Sequence, residues 1–192
     1  FSYSRISNPT VDSFEKRMTA LEGGVASVAC ASGMAAITNA FTNILRSGDE
    51  IVCSASLYGG SIDLFKDLEA FGIRTHYVEN NNIEQFEAAT NEHTRLYFAE
   101  TIGNPRLDVT DIRLLSLAAH KAGVPLIVDN TVATAYLIKP IEYGADIVVN
   151  STSKYVNGNS NSISGVITDS GNFKWDSVKY PSMKDFARFG PY

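Results

Sequence analysis

Ile147-Val148-Val149-Asn150-Ser151-Thr152-Ser153-Lys154-Tyr155 is an apolar run followed at once by hydroxyl side chains and one lysine. Three consecutive β-branched residues read as a buried strand. Upstream, Pro125-Leu126-Ile127-Val128 is a second such run, and it ends in Asp129. Both runs read as strands, with a residue that has chemistry to offer at or just beyond each end.

Working outward, apolar runs and helical patterns alternate along most of the chain. Val11, Phe14, Met18 and Leu21 recur at helical spacing and stop at Gly23-Gly24, with Asp12 and Glu15 as the expected cap pair. Strands are expected at 25–30, 51–53, 73–78 and 96–99, with 166–167 a weaker candidate. Helices are expected at 33–45, 62–71, 83–89 and 111–122, the last with Asp111 as N-cap and Gly123 just beyond its end. Strand-helix alternation of this length indicates an α/β domain with a mostly parallel sheet and helices on both faces. Ligands of such sheets lie beyond the carboxyl ends of the strands.

The 192 residues suffice for one core, and the 44% hydrophobic and 19% charged content is that of a globular protein. A net charge of −5 offers no electrostatic footprint for nucleic acid or an anionic membrane. No uncharged apolar run is long enough to span a bilayer. Cys30 and Cys53 read as buried free thiols of a cytoplasmic protein, and His76, His93 and His120 are too scattered for a metal site. Asn150-Ser151-Thr152 matches a glycosylation sequon, which its place beside Lys154 makes accidental. The segment 157–161 is a polar loop, and the tail from Trp175 to Tyr192 has no periodicity, so the chain reads as part of a longer protein.

Ser32-Gly33-Met34-Ala35-Ala36 opens a helix directly after a strand, where Gly33 lets backbone N–H groups approach an anion. Tyr58, beside Gly59 and Gly60, could stack on a flat ring. Taken singly, each of these residues has a plain reading: a packing turn, a capping acid, a solvated lysine, a turn tyrosine. Together they form an anion cradle, an acid and an amine at strand ends. These are the contacts that pyridoxal phosphate (PLP) needs. The amine forms an imine with the aldehyde, and the carboxylate holds the ring nitrogen protonated.

At this point a family resemblance enters. The chain resembles the Cys/Met-metabolism PLP enzymes, the cystathionine γ-synthase-like group of fold type I. The motifs that carry it are Tyr3-Ser4-Arg5-Ile6-Ser7-Asn8-Pro9-Thr10, Ser32-Gly33-Met34-Ala35-Ala36, Tyr58-Gly59-Gly60, Asn104-Pro105, Asp129-Asn130-Thr131 and Ser151-Thr152-Ser153-Lys154-Tyr155. It implies that Lys154 is the Schiff-base lysine and proton shuttle, and that Asp129 pairs with the pyridine nitrogen. Gly33 and Met34 would bind the phosphate through backbone N–H groups, with Ser151 and Ser153 adding hydroxyls. Tyr58 would stack on the ring and assist acid–base steps, and Asn104 would lie near the phenolic oxygen. Tyr3 and Arg5 would reach the phosphate of the neighbouring subunit's cofactor, which implies a homodimer, usually paired into a homotetramer.

Within the family, residues 100–105 and 166–175 look like the O-acetylhomoserine sulfhydrylase branch of methionine biosynthesis. Gly60 stands where methionine γ-lyases carry cysteine. The implied activity is γ-replacement on O-acetyl-L-homoserine with sulfide or a small thiol. The alternatives are cystathionine γ-synthase or α,γ-lyase chemistry on the same scaffold, or a truncated PLP-binding module without turnover. Ser153 replaces the usual threonine, and Gly158-Asn159 replaces the frequent Gly-His. Family members are longer, so 1–192 is expected to be the PLP-binding large domain. An N-terminal segment and the C-terminal small domain, with its carboxylate-binding arginine, would lie outside it.

Overall fold

Seven strands form one sheet in the order β1-β7-β6-β5-β4-β2-β3, in a computed structural model that describes residues 3–184. They are β1 (Ala26–Cys30), β2 (Glu50–Ser54), β3 (Arg74–Val78), β4 (Thr94–Glu100), β5 (Leu126–Asp129), β6 (Ile147–Asn150) and β7 (Gly165–Asp169). The pairs from β3 through β2, β4 and β5 to β6 are parallel. β7 runs antiparallel to both β6 and β1, so β1 points the same way as the parallel set. The weak strand expected at 166–167 is thus a full five-residue strand wedged between β6 and β1. Its direction was not legible because a strand's own residues do not encode which neighbour it meets.

The helices are α1 (Pro9–Glu22), α2 (Gly33–Ile44), α3 (Gly59–Glu69), α4 (Ile83–Ala89), α5 (Ile112–Lys121), α6 (Thr134–Leu137) and α7 (Pro181–Lys184), with a 3-10 turn at Pro140–Tyr143. The helix expected at 62–71 starts three residues earlier, at Gly59, and the cap of α1 also differs from expectation. The cap of α1 is Asn8, whose side chain accepts from Thr10 N at 2.9 Å and Val11 N at 3.3 Å. Pro9 at the first helical position needs no acceptor for a missing N–H, which makes Asn8-Pro9 the stronger start signal. Asp12 instead pairs with Lys16 at 2.7 Å, and Glu15 takes the Ala29 N–H of edge strand β1 at 2.7 Å. The helix stops at Gly23, whose φ of 78° is the left-handed conformation glycine adopts freely.

Alternation along the strands builds two cores. Ile51, Cys53, Phe98, Ile127, Ile147 and Val149 face one side, where Ile37 and Phe41 of α2 and Phe65 of α3 cover them. Val52, Tyr97, Ala99, Leu126, Val128 and Val148 face the other, under Phe86 of α4 and Leu115 of α5. Phe41, Phe65 and Phe98 pack with ring centroids 5.3–5.5 Å apart, one pair stacked and two edge-on. With both faces covered, the one rim free to receive a ligand along the strand direction is a sheet end. The carboxyl rim gathers the loops that follow β1, β2, β4, β5 and β6. In the tail, Tyr180 is fully buried against Phe173 and Trp175, while 185–192 lie outside the described residues.

Candidate active site

Asp129 is the last residue of β5, and Ser151 follows the last residue of β6, its parallel neighbour. The two loops are tied by Thr131. Its N–H donates to Asp129 Oδ1 at 2.9 Å, and its hydroxyl accepts the Ser151 N–H at 2.8 Å. Lys154 follows in a turn whose backbone closes on itself through Lys154 N to Ser151 O at 3.2 Å. Its Nζ donates to Ser151 Oγ at 3.3 Å and remains solvent-accessible. The Asp129 carboxyl sits half-buried in the floor. Burial pushes it above the ordinary carboxylate range, against the Thr131 hydrogen bonds and the field of Lys154.

The N-terminus of α2 closes the third side. Ser32 caps it, accepting from Ala35 N at 3.0 Å. The Gly33 and Met34 N–H groups, among the first of the helix and so without intrahelical partners, have no acceptor among the described residues. A Cβ on Gly33 would lie 2.5 Å from Ser151 Cβ, so only glycine lets the helix end approach the Ser151–Lys154 turn. Gly165, at the start of β7, allows the same turn from behind: its Cβ would lie 2.5 Å from the Ser32 carbonyl carbon and 2.8 Å from Gly33 N. Sequence reasoning passed over Gly165. A glycine inside a strand pattern marks close backbone approach and was the available signal.

Tyr58 precedes α3 and is about half exposed, its ring folded over Gly60, where a Cβ would come within 2.5 Å of it. Glu100, the last residue of β4 and directly beside Asp129 in register, holds this corner together. It accepts Tyr58 N at 2.6 Å with Oε1 and Asn104 N at 3.2 Å with Oε2. Glu100 is 5% exposed, and burial, aided by the neighbouring Asp129 charge, pushes its carboxyl up to about 8 against the pull of those N–H donors. This organising acid was passed over, although it follows the apolar run 96–99 just as Asp129 follows Leu126–Val128, so the same signal was available.

Ser153 turns toward Ser164, donating to its carbonyl at 3.1 Å and accepting from its N–H at 2.9 Å. Asn104 is exposed at the rim. Tyr3 and Arg5 stack on each other, guanidinium 5.2 Å from the ring centroid, in an exposed turn before α1. The structure thus brings together Gly33, Met34, Tyr58, Asp129, Ser151 and Lys154 at one rim, with Ser153 directed at the β7 approach. Among the described residues Tyr3 and Arg5 make no hydrogen bond or ion pair with that group. A separate cavity of about 510 Å³ opens at the opposite, amino end of the sheet, lined by His120, Asp146, Phe173 and Lys179.

Comparison with known proteins gives this rim a context. The Cys/Met metabolism PLP-dependent enzyme family matches residues 1–186. An O-acetyl-L-homoserine sulfhydrylase of Leptospira meyeri is 46% identical over 184 residues, covering 95% of this chain and 42% of its own length. A structure assigned as an O-acetylhomoserine (thiol)-lyase of Campylobacter jejuni, which contains N'-pyridoxyl-lysine-5'-monophosphate, superposes with a TM-score of 0.89 at 34% identity over 93% of this chain and 45% of that one. Cystathionine γ-lyase of Lactobacillus plantarum, complexed with L-serine, gives a TM-score of 0.86 at 36% identity over 88% of this chain and 44% of that one. The chain therefore spans less than half the length of these relatives. With a match over nearly every residue and a fold shared end to end, the chain belongs to the Cys/Met metabolism PLP-dependent enzyme family.

Proposed function

We propose that this chain is the cofactor-binding part of a PLP-dependent enzyme that replaces the γ-substituent of O-acetyl-L-homoserine with sulfide or a small thiol, giving homocysteine or methionine. The observation that carries the cofactor assignment is the cradle at Gly33. A side chain there would run into Ser151, and the Gly33 and Met34 N–H groups, at a helix N-terminus that favours anions, have no acceptor among the described residues. The residues fit the group. Gly33, Met34 and Ser151 would bind its phosphate, with Ser153 at their side. Asp129 would hold its ring nitrogen, Tyr58 would cover its face, and Lys154 would bond its aldehyde carbon. When bound, the group supplies an electron-withdrawing cationic ring conjugated to the substrate's amino group.

The chain's own residues do the rest. Asp129, raised by burial, would be held ionised by the ring's cationic nitrogen opposite it. Lys154 Nζ, with Ser151 Oγ as its hydrogen-bond partner at 3.3 Å, is the base that moves protons at the substrate's Cα and Cβ. Glu100 fixes the backbone of Tyr58 and Asn104, so the ring cover and the rim move as one unit. The substrate identity rests on the Leptospira relative's name and on Gly60. The shared fold of the γ-lyase does not separate replacement from elimination. At position 60, however, any side chain displaces the Tyr58 ring, so this chain keeps a ring posture that a cysteine-bearing relative would not.

Elimination or γ-synthase chemistry is the second reading, favoured by the lyase's structural likeness. The same reading makes the protein a cytoplasmic homodimer or homotetramer in which Tyr3 and Arg5, free of the local site, reach a neighbour's phosphate. Residues 1–192 would be its large domain. Incubation with PLP, borohydride reduction and peptide mapping tests the cofactor assignment, with a single modified residue expected at Lys154. Modification elsewhere, or none, removes it. Product analysis of the whole protein with O-acetylhomoserine and sulfide then distinguishes homocysteine from ketoacid and ammonia.

A further inference from the structure

Beneath the rim lies a buried acid that no motif contains. Glu22, the last residue of α1, is 0% exposed, as is Asn130, and Asn150 is 1% exposed. Glu22 Oε1 accepts from Asn150 Nδ2 at 2.8 Å and from Asn130 Nδ2 at 3.4 Å. Glu22 Oε2 and Asn150 Oδ1 are both buried and lack a partner among the described residues. Both are acceptors, and both belong to a carboxyl and an amide already joined by one hydrogen bond. Buried polar atoms are rarely left unpaired, because each costs its full desolvation.

We infer that Glu22 is a neutral carboxylic acid whose Oε2 proton is donated to Asn150 Oδ1, closing a reciprocal acid–amide pair that positions the ends of β5 and β6. One proton satisfies both orphaned atoms, whereas a carboxylate would leave two acceptors opposed. The helix geometry agrees: a C-terminal position carries partial negative charge and disfavours an anion. Lys139 is the charged side chain whose field reaches Glu22, and its amine pairs with Glu142 at 3.5 Å. The pair does not stop at Asn150. Asn130 accepts from Thr101 Oγ1 at 2.8 Å and donates to Ile138 O at 3.0 Å, so α1 and the ends of β4, β5 and β6 share one buried network. Asn130 follows Asp129 and Asn150 precedes Ser151, so this network sets the spacing between the acid and the Ser151–Lys154 turn.

The role in positioning rests on the cofactor reading, but the proton does not, and the test separates them. Purified full-chain protein, Glu22→Gln and Glu22→Ala are compared without cofactor first. The infrared spectrum at neutral pH is expected to show a protonated-carboxyl carbonyl band that Glu22→Gln lacks. Burial raises the Glu22 carboxyl, and a folded acid held neutral loses stability as pH rises above its ordinary value of 4.5, so the midpoint gap between Glu22→Gln and the parent should widen in favour of Gln as pH rises from there. Other acids cancel in that difference. An absent band with a flat gap overturns the inference, even if PLP binds. With PLP, Glu22→Gln, whose amide can place an acceptor toward Asn150 Nδ2 and an N–H toward Asn150 Oδ1 as the neutral acid does, should bind within about twofold of the parent, and Glu22→Ala about tenfold more weakly. Equal binding by Ala overturns the positioning role. If the parent itself captures no PLP, the cofactor reading falls while band and gap still decide the proton. Should Glu22→Ala fail to fold, Glu22→Asp, one methylene too short for the pair, takes its place with the same weakened binding expected.

Discussion

The two ends of the sheet bury acids in opposite ways. At the amino end three acids have basic partners. Asp49 meets Arg95 at 3.1 Å, Glu50 meets His76 at 2.7 Å and Arg74 at 3.4 Å, and Asp146 meets His120 at 2.8 Å while also accepting Leu126 N at 2.8 Å. At the carboxyl end Glu22, Glu100 and Asp129 have only amide, hydroxyl and backbone donors, and Lys154 reaches Asp129 as a field without a salt bridge. Burial raises all three of these acids, and it raises Asp146 too. Glu50 falls below its ordinary value because Asn91, His76 and Arg74 together outweigh its desolvation. The lesson lies in the partners. An acid already matched to a resident base serves the fold, whereas one without a base either stays neutral within the fold, as inferred for Glu22, or is free to serve a cation that arrives with a ligand, as proposed for Asp129.

That contrast is breakable by substitution. Lys154→Ala should abolish borohydride capture of PLP entirely while leaving the denaturation midpoint near that of the parent. Asp146→Ala should do the reverse: it strands the buried Leu126 N–H and costs about 3 kcal/mol in denaturant unfolding, with capture at Lys154 unchanged once folded. If Asp146→Ala lost capture as strongly as stability, the two ends would not be independent.

Gly33→Ala sharpens the carboxyl side. Its Cβ falls 2.5 Å from Ser151 Cβ, between two backbones that cannot both yield. We expect a loss of about 1–3 kcal/mol in stability and PLP binding weakened more than tenfold in an absorbance titration. Glu100→Gln tests the unpaired acids through pH. The folded carboxyl at about 8 lies above its ordinary 4.5, so the parent loses stability as pH rises from about 4.5 to about 8 and levels off beyond. Denaturation midpoints across that window should slope less in Glu100→Gln, at the cost of one acceptor for Asn104 N. The smallest effect is expected of Gly60→Ala. The half-exposed Tyr58 ring can swing away, so stability should change by less than about 1 kcal/mol, while the absorbance of bound PLP shifts.

Much of this was legible in the chain itself, for identifiable reasons. Alternating runs such as Leu126–Val128 and Ile147–Val149, and glycine stops such as Gly23 and Gly123, are local signals that survive in any tertiary context. Asp129, Lys154 and Gly33 were found because each follows an apolar run, and the carboxyl rim is where such residues must gather. Glu22, Glu100, Thr131 and Gly165 were not singled out. Their roles are contacts between segments far apart in sequence, such as Glu22 with Asn150, and Glu100 with Tyr58.

The sequence alone determined which residues could carry chemistry and that they would converge on one edge of a mostly parallel sheet, because strand periodicity and the alternation of strands with helices are local properties. Only the tertiary structure decided how closely they converge, which way β7 runs, and which buried acids keep company with bases. Those depend on the packing of helix ends against distant loops and on the local dielectric, and neither is written in any single stretch of chain.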